Sequence, residues 1–78
     1  MDILGLAEHI GRRVLLAYLN GEWVEVRLLG FDPQVHGDLT YDVLRVLDAG
    51  DPPAPGSQEG VCCLGSTDDL LAWSPLGD

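Results

Sequence analysis

Apolar and polar residues alternate with a period of two from Arg12 to Phe31, which places successive side chains on opposite faces of an extended chain. Val14, Leu16 and Tyr18 share one face of the run Arg12 to Leu19. Val24, Val26 and Leu28 share one face of the run Glu22 to Phe31, with Glu25 and Arg27 opposite. Asn20-Gly21 joins the two runs, and both residues tolerate the positive φ of a tight hairpin. Gly30 permits a bend or bulge near the end of the second run. Asp32-Pro33 and His36-Gly37-Asp38 supply a turn. A third run follows, Leu39 to Leu47, whose apolar phase shifts between Val43 and Leu44; this predicts a bulge or a sharply curved strand.

The remainder of the chain is less regular. Asp51 to Gly60 (DPPAPGSQEG) has the composition of a flexible loop. Val61 to Leu64 reads as a short fourth strand and Leu70 to Ser74 as a fifth. Ser66 with Asp69 also fits a capping box for a helical turn, so the closing stretch is ambiguous. Ahead of the strands, Asp2 to Ile10 predicts a short helix. Asp2 caps it, Ile3, Leu6, Ala7 and Ile10 share a face, His9 lies on the polar side, and Gly11 stops it.

With 78 residues the chain holds one domain. Short antiparallel strands at this size bury one face best by bending into a small barrel. The expected fold is therefore mostly β: a short N-terminal helix and a five-stranded antiparallel barrel. Its core is drawn from Val14, Leu16, Tyr18, Val24, Val26, Leu28, Leu39 and Tyr41.

Charge narrows the function classes. Thirteen acidic residues face four basic ones, all arginines (Arg12, Arg13, Arg27, Arg45), for a net charge of −9. Such a surface repels phosphate backbones unless the arginines converge on one face, so nucleic-acid binding is expected to be weak or absent. A basic protein partner is electrostatically easier. Adjacent Cys62 and Cys63 point to opposite faces of a strand and form no ordinary bridge. They read as reduced apolar strand residues, which fits a cytoplasmic setting. No apolar run approaches the length of a membrane span.

His9, His36, Cys62 and Cys63 match no compact metal-ligand spacing, and no cofactor motif is present. Asp32, Asp38 and Asp42 converge on one loop, but a filled small barrel offers no cleft for paired-carboxylate chemistry. Ser66 and Thr67 with the two histidines suggest no triad. The chain therefore reads as a non-enzyme. Trp23, beside Glu25 and Arg27, either packs on the N-terminal helix or anchors an interface. Trp73 reads as a core or subunit-contact residue.

From Ile10-Gly11-Arg12-Arg13-Val14 to Leu39 the sequence resembles the first motif of the Sm and Sm-like (LSm) family. Val14, Leu16 and Tyr18 occupy the apolar positions of its first strand, Gly21 its hairpin glycine and Leu28 its second-strand leucine. Leu29-Gly30-Phe31-Asp32 reproduces the ending common in archaeal members, and Asp32, Val35 and Leu39 match the positions that follow. Val26 replaces the family's second glycine, and His36 replaces its base-contacting asparagine. The second motif is degraded: Leu64-Gly65 aligns with its Arg-Gly, which puts a leucine at the RNA-contacting arginine, and Trp73-Ser74-Pro75 aligns with its end.

The resemblance implies an Sm-like (SH3-like) barrel, RNA-contact positions at Asp32, His36, Leu64 and Gly65, and subunits joined by pairing of the fourth strand with the fifth of the next. The corresponding interface residues are Val61, Cys62, Cys63, Leu64, Leu70, Leu71 and Trp73. Three functions follow. The leading one is a self-associating assembly or protein-interaction module, a homo-oligomer. The second is an RNA-binding protein with an atypical site. The third is an acidic decoy for the basic nucleic-acid site of a partner.

Overall fold

A computed structural model describes residues 3–34, 37–51 and 58–77. Asp2, Val35, His36 and most of the 51–60 loop lie outside the described residues. The element order is a 3₁₀ helix, η1 (Ile3–His9), then β1 (Arg13–Tyr18), β2 (Trp23–Asp32), β3 (Asp38–Asp48), β4 (Cys62–Ser66), a short 3₁₀ turn η2 (Thr67–Asp69) and β5 (Leu70–Gly77). The five strands form one antiparallel sheet in the order β4-β3-β2-β1-β5.

The period-two pattern becomes two sheet faces. Val14, Leu16, Val24, Val26, Leu28 and Leu39 are fully buried, and Tyr18 and Tyr41 nearly so, so every residue expected in the core is there. Leu6, Val43 and Leu70 complete the cluster. The outer face carries transverse rows: Arg13 opposite Arg27 and Asp42, then Leu15 opposite Glu25 and Arg45, then Ala17 opposite Trp23 and Asp48.

The sheet curls without closing. Tyr18 on β1 reaches Tyr41 on β3 across the intervening strand, and the hydrogen bond from Leu19 N–H to the Asp69 carbonyl ties the hairpin to η2. Bulges supply the curvature. Val26 pairs with Val43 and Glu25 with Arg45, which leaves Leu44 as the extra residue where the apolar phase shifts. Leu28 pairs with Tyr41 and Gly30 with Thr40, which leaves Leu29 extra beside Gly30. The β1–β2 connection is a hairpin, as Asn20-Gly21 predicts, but it is three residues long. Gly21 N–H bonds the Tyr18 carbonyl and Tyr18 N–H the Glu22 carbonyl, so Leu19, Asn20 and Gly21 form the loop and Gly21 takes φ +89°. A turn closed by a left-handed glycine is the common three-residue solution.

Both readings of the closing stretch hold. The Ser66 hydroxyl accepts the Asp68 N–H and caps η2, and the strand β5 then runs on to Gly77. The N-terminal helix differs from expectation in its period. Three residues per turn align Ile3, Leu6 and His9 instead of Ile3, Leu6, Ala7 and Ile10. Leu6 is accordingly buried, Ala7 and Ile10 are exposed, and His9 faces inward. His9 packs against Trp73 with ring centroids 5.3 Å apart.

Candidate functional site

Two regions carry features that the fold alone does not require: the terminal strands of the sheet, and a cavity between β4 and the β1–β2 hairpin.

β4 and β5 end the sheet, and no described strand pairs with the outer side of either. Both present large apolar side chains to solvent: Val61 and Leu64 at and just before β4, Leu71 and Leu76 on β5. Leu64 is the most exposed of these, at 73%. Among the sequence-derived interface residues, Cys62 is also exposed and Cys63 half-buried. Leu70 is instead a core residue, because it opens β5 opposite Tyr18 on the inward row. Trp73 pairs with Leu16 and packs partly buried on the core and on His9. Trp23 stays half exposed on the outer face, beside a shallow groove formed with Leu15, Ala17, Leu71 and Ala72. The tryptophan that meets the helix is Trp73, not Trp23.

Of the positions implied by the resemblance, Asp32, Leu64 and Gly65 are described and lie toward one end of the sheet. Asp32 pairs with Asp38, which pairs with Ser66; in the next row Phe31 pairs with Leu39, which pairs with Gly65. Thr67 N–H bonds the Gly37 carbonyl and holds the β2–β3 turn against η2. Asp32 accepts the Gln34 N–H and shapes that turn. This end therefore carries Asp32 and Asp38, with Asp68 in the adjoining η2. Three of the four arginines lie on the outer face, interleaved with Glu25, Asp42 and Asp48. Arg13 pairs with Glu25 at 3.2 Å, and Arg27 donates to the Gly11 carbonyl at 2.7 Å.

The cavity has a volume of about 360 Å³. Its floor is the Tyr18–Tyr41 hydroxyl pair, 2.8 Å apart. Gly65 lies directly over that pair: a Cβ there would come within 2.6 Å of the Tyr18 hydroxyl and 3.2 Å of the Tyr41 hydroxyl. Glu22 and Asp69 also line the cavity. Glu22 is only 3% exposed, and its Oε2 is shielded from solvent with no hydrogen-bond partner. Burial pushes the Tyr18 phenol far up, reinforced by Tyr41 and by the Glu22 carboxylate. Tyr41 is raised mainly by burial, against a lowering contribution from the Tyr18 hydrogen bond. Burial also raises the Cys63 thiol, with Cys62 and Glu22 adding to it. A thiol shifted in that direction is a poorer nucleophile.

Sequence reading missed Glu22, because it stands just before β2 at a hairpin, where an acidic residue is unremarkable. Its parity with Val24, Val26 and Leu28 puts it on the inward face, and the hydrogen bond from Tyr18 N–H to its carbonyl keeps that register across the loop. No group of three metal-ligating side chains occurs among the described residues, and no described helix is long and apolar enough to cross a membrane.

No family model and no curated protein matches the sequence. Among solved structures, the chain is similar to the crystal structure of an SmAP (LSm) protein from Methanococcus vannielii. The TM-score is 0.66 at 19% identity, over 94% of this chain and 91% of that one. With a short N-terminal helix, a curled antiparallel five-stranded sheet and that neighbour, the fold of this chain is Sm-like.

Proposed function

We propose that the chain is a non-enzymatic Sm-like assembly module that joins to copies of itself head to tail, β4 of one against β5 of the next. The observation that carries this reading is the pair of terminal strands bearing exposed Leu64 and Leu71. A strand edge flanked by apolar side chains tends to recruit another strand. The two edges differ in sequence, so the contact is heterologous and closes into a ring when the rotation per copy divides a full turn. The LSm neighbour supports the same reading.

RNA binding is the second reading, and the charge distribution speaks against it. The end that corresponds to the family's RNA contacts is acidic, and the outer-face arginines alternate with carboxylates.

Complementation of blocked edges tests the assembly. Leu64→Glu places a charge beside the β4 edge and Leu71→Glu one beside the β5 edge. Each variant alone is expected to remain monomeric. An equimolar mixture is expected to form a heterodimer and nothing larger, because one good edge survives on each partner. Rings formed by either single variant would contradict the proposal.

A further inference from the structure

The assembly edges make no use of the buried carboxylate of Glu22. Leaving an ionised oxygen out of water without a hydrogen bond is costly, and buried polar atoms are almost always paired. Glu22 Oε2 has no partner and is shielded from solvent, in a side chain that lines an open cavity. The same cavity holds a second acid, Asp69, and no basic residue. An ionised carboxylate only accepts hydrogen bonds, so the missing partner is a donor, and a positively charged donor gains most.

Three further observations define its shape. The volume, about 360 Å³, is that of a small-ligand pocket. Leu19 and Leu64 border it and provide apolar surface for an alkyl stem. No set of three ligating side chains occurs among the described residues, so the site suits a hydrogen-bonding organic cation better than a metal ion.

We propose that the cavity between β4 and the β1–β2 hairpin binds a single guanidinium or primary ammonium group on an alkyl stem, with Glu22 as its counter-charge. The Tyr18–Tyr41 pair forms the floor and fixes the depth. Gly65 keeps the space above the hydroxyls open, since a side chain there would fill it. The shared chemistry has two sources, a free small amine or guanidine and a basic side chain presented by a peptide, and the test separates them.

Amide chemical shifts of the full chain are followed while butylguanidinium, its neutral isostere butylurea, or a capped peptide with one arginine is added. Butylguanidinium is expected to shift Tyr18, Glu22, Gly65 and Ser66, and butylurea to leave them in place. Glu22→Gln is expected to weaken butylguanidinium binding about tenfold or more, the effect of one charge-assisted hydrogen bond. Tighter binding of the peptide assigns the site to a protein partner; tighter binding of the free cation assigns it to a small molecule. Equal shifts from butylguanidinium and butylurea, or none from either cation, would overturn the proposal. That comparison uses the unsubstituted chain, so it decides the matter even if Glu22→Gln fails to fold.

Discussion

The hydroxyls of Tyr18 on β1 and Tyr41 on β3 meet at 2.8 Å beneath Gly65, and this contact spans two non-adjacent strands. It is a polar tie within a largely apolar core, beside the buried Glu22. Removing either hydroxyl leaves the other buried beside Glu22 with its partner gone. Tyr18→Phe and Tyr41→Phe are each expected to cost about 1–3 kcal/mol. The double variant is expected to cost clearly less than their sum, since it leaves no orphaned hydroxyl. A denaturant-based double-mutant cycle measures the coupling, and strict additivity would show that the bond contributes nothing.

The same pair sets an alkaline limit. Burial raises both phenols above their ordinary pKa of 10.0. Above that pH the unfolded chain has released these protons and the folded chain has not, so unfolding is favoured as pH rises. Stability from this source is therefore intact below pH 10 and is lost progressively above it. The chain has two tyrosines, both in this pair, so phenolate absorbance reports on nothing else. Ionisation is expected to coincide with loss of circular dichroism. Phenolate formed at ordinary pH in a fully folded chain would contradict the burial.

Gly65 is expected to tolerate no side chain. A Cβ 2.6 Å from the Tyr18 hydroxyl displaces a bonded, buried group and not a free side-chain end. Gly65→Ala should destabilise by about 1–3 kcal/mol, because the added methyl forces the bonded hydroxyl pair to move. Thermal unfolding checks this. An unchanged midpoint would mean that the tyrosines move aside without cost.

The strands, the hairpin and the core were legible because each rests on local periodicity. The phase slip at Leu44 and the glycine at position 30 foretold two bulges for the same reason. The helix was misread in its period: the apolar spacing Ile3, Leu6, Ala7, Ile10 fits an α-helix, and nothing local signals that three residues per turn would win and bring His9 onto Trp73. Leu70 was read as a contact residue because the start of β5 sets which face it takes, and that start depends on η2. The Glu22 cavity was invisible because it joins residues from β1, the β1–β2 hairpin, β3, β4 and η2, and only curling of the sheet brings them together.

Binding to oligo-uridine is expected to stay in the non-specific range, a dissociation constant of roughly 10⁻⁴ to 10⁻⁶ M or weaker. The motive is the acidic loop end at Asp32 and Asp38 with Asp68 in η2, and three of the four arginines on the outer face beside carboxylates. Filter binding across a salt series checks it. Nanomolar, uridine-selective binding at physiological salt would favour the RNA reading.

Sedimentation of the unsubstituted chain across a salt series tests self-assembly most directly. Nine net negative charges per copy oppose association, so assembly is expected to strengthen as salt screens them. The predicted result is a single species larger than a dimer, a whole multiple of 8.4 kDa, whose mass stops growing with concentration as a closed ring requires. A clean 8.4 kDa monomer at high concentration and moderate salt would contradict the account.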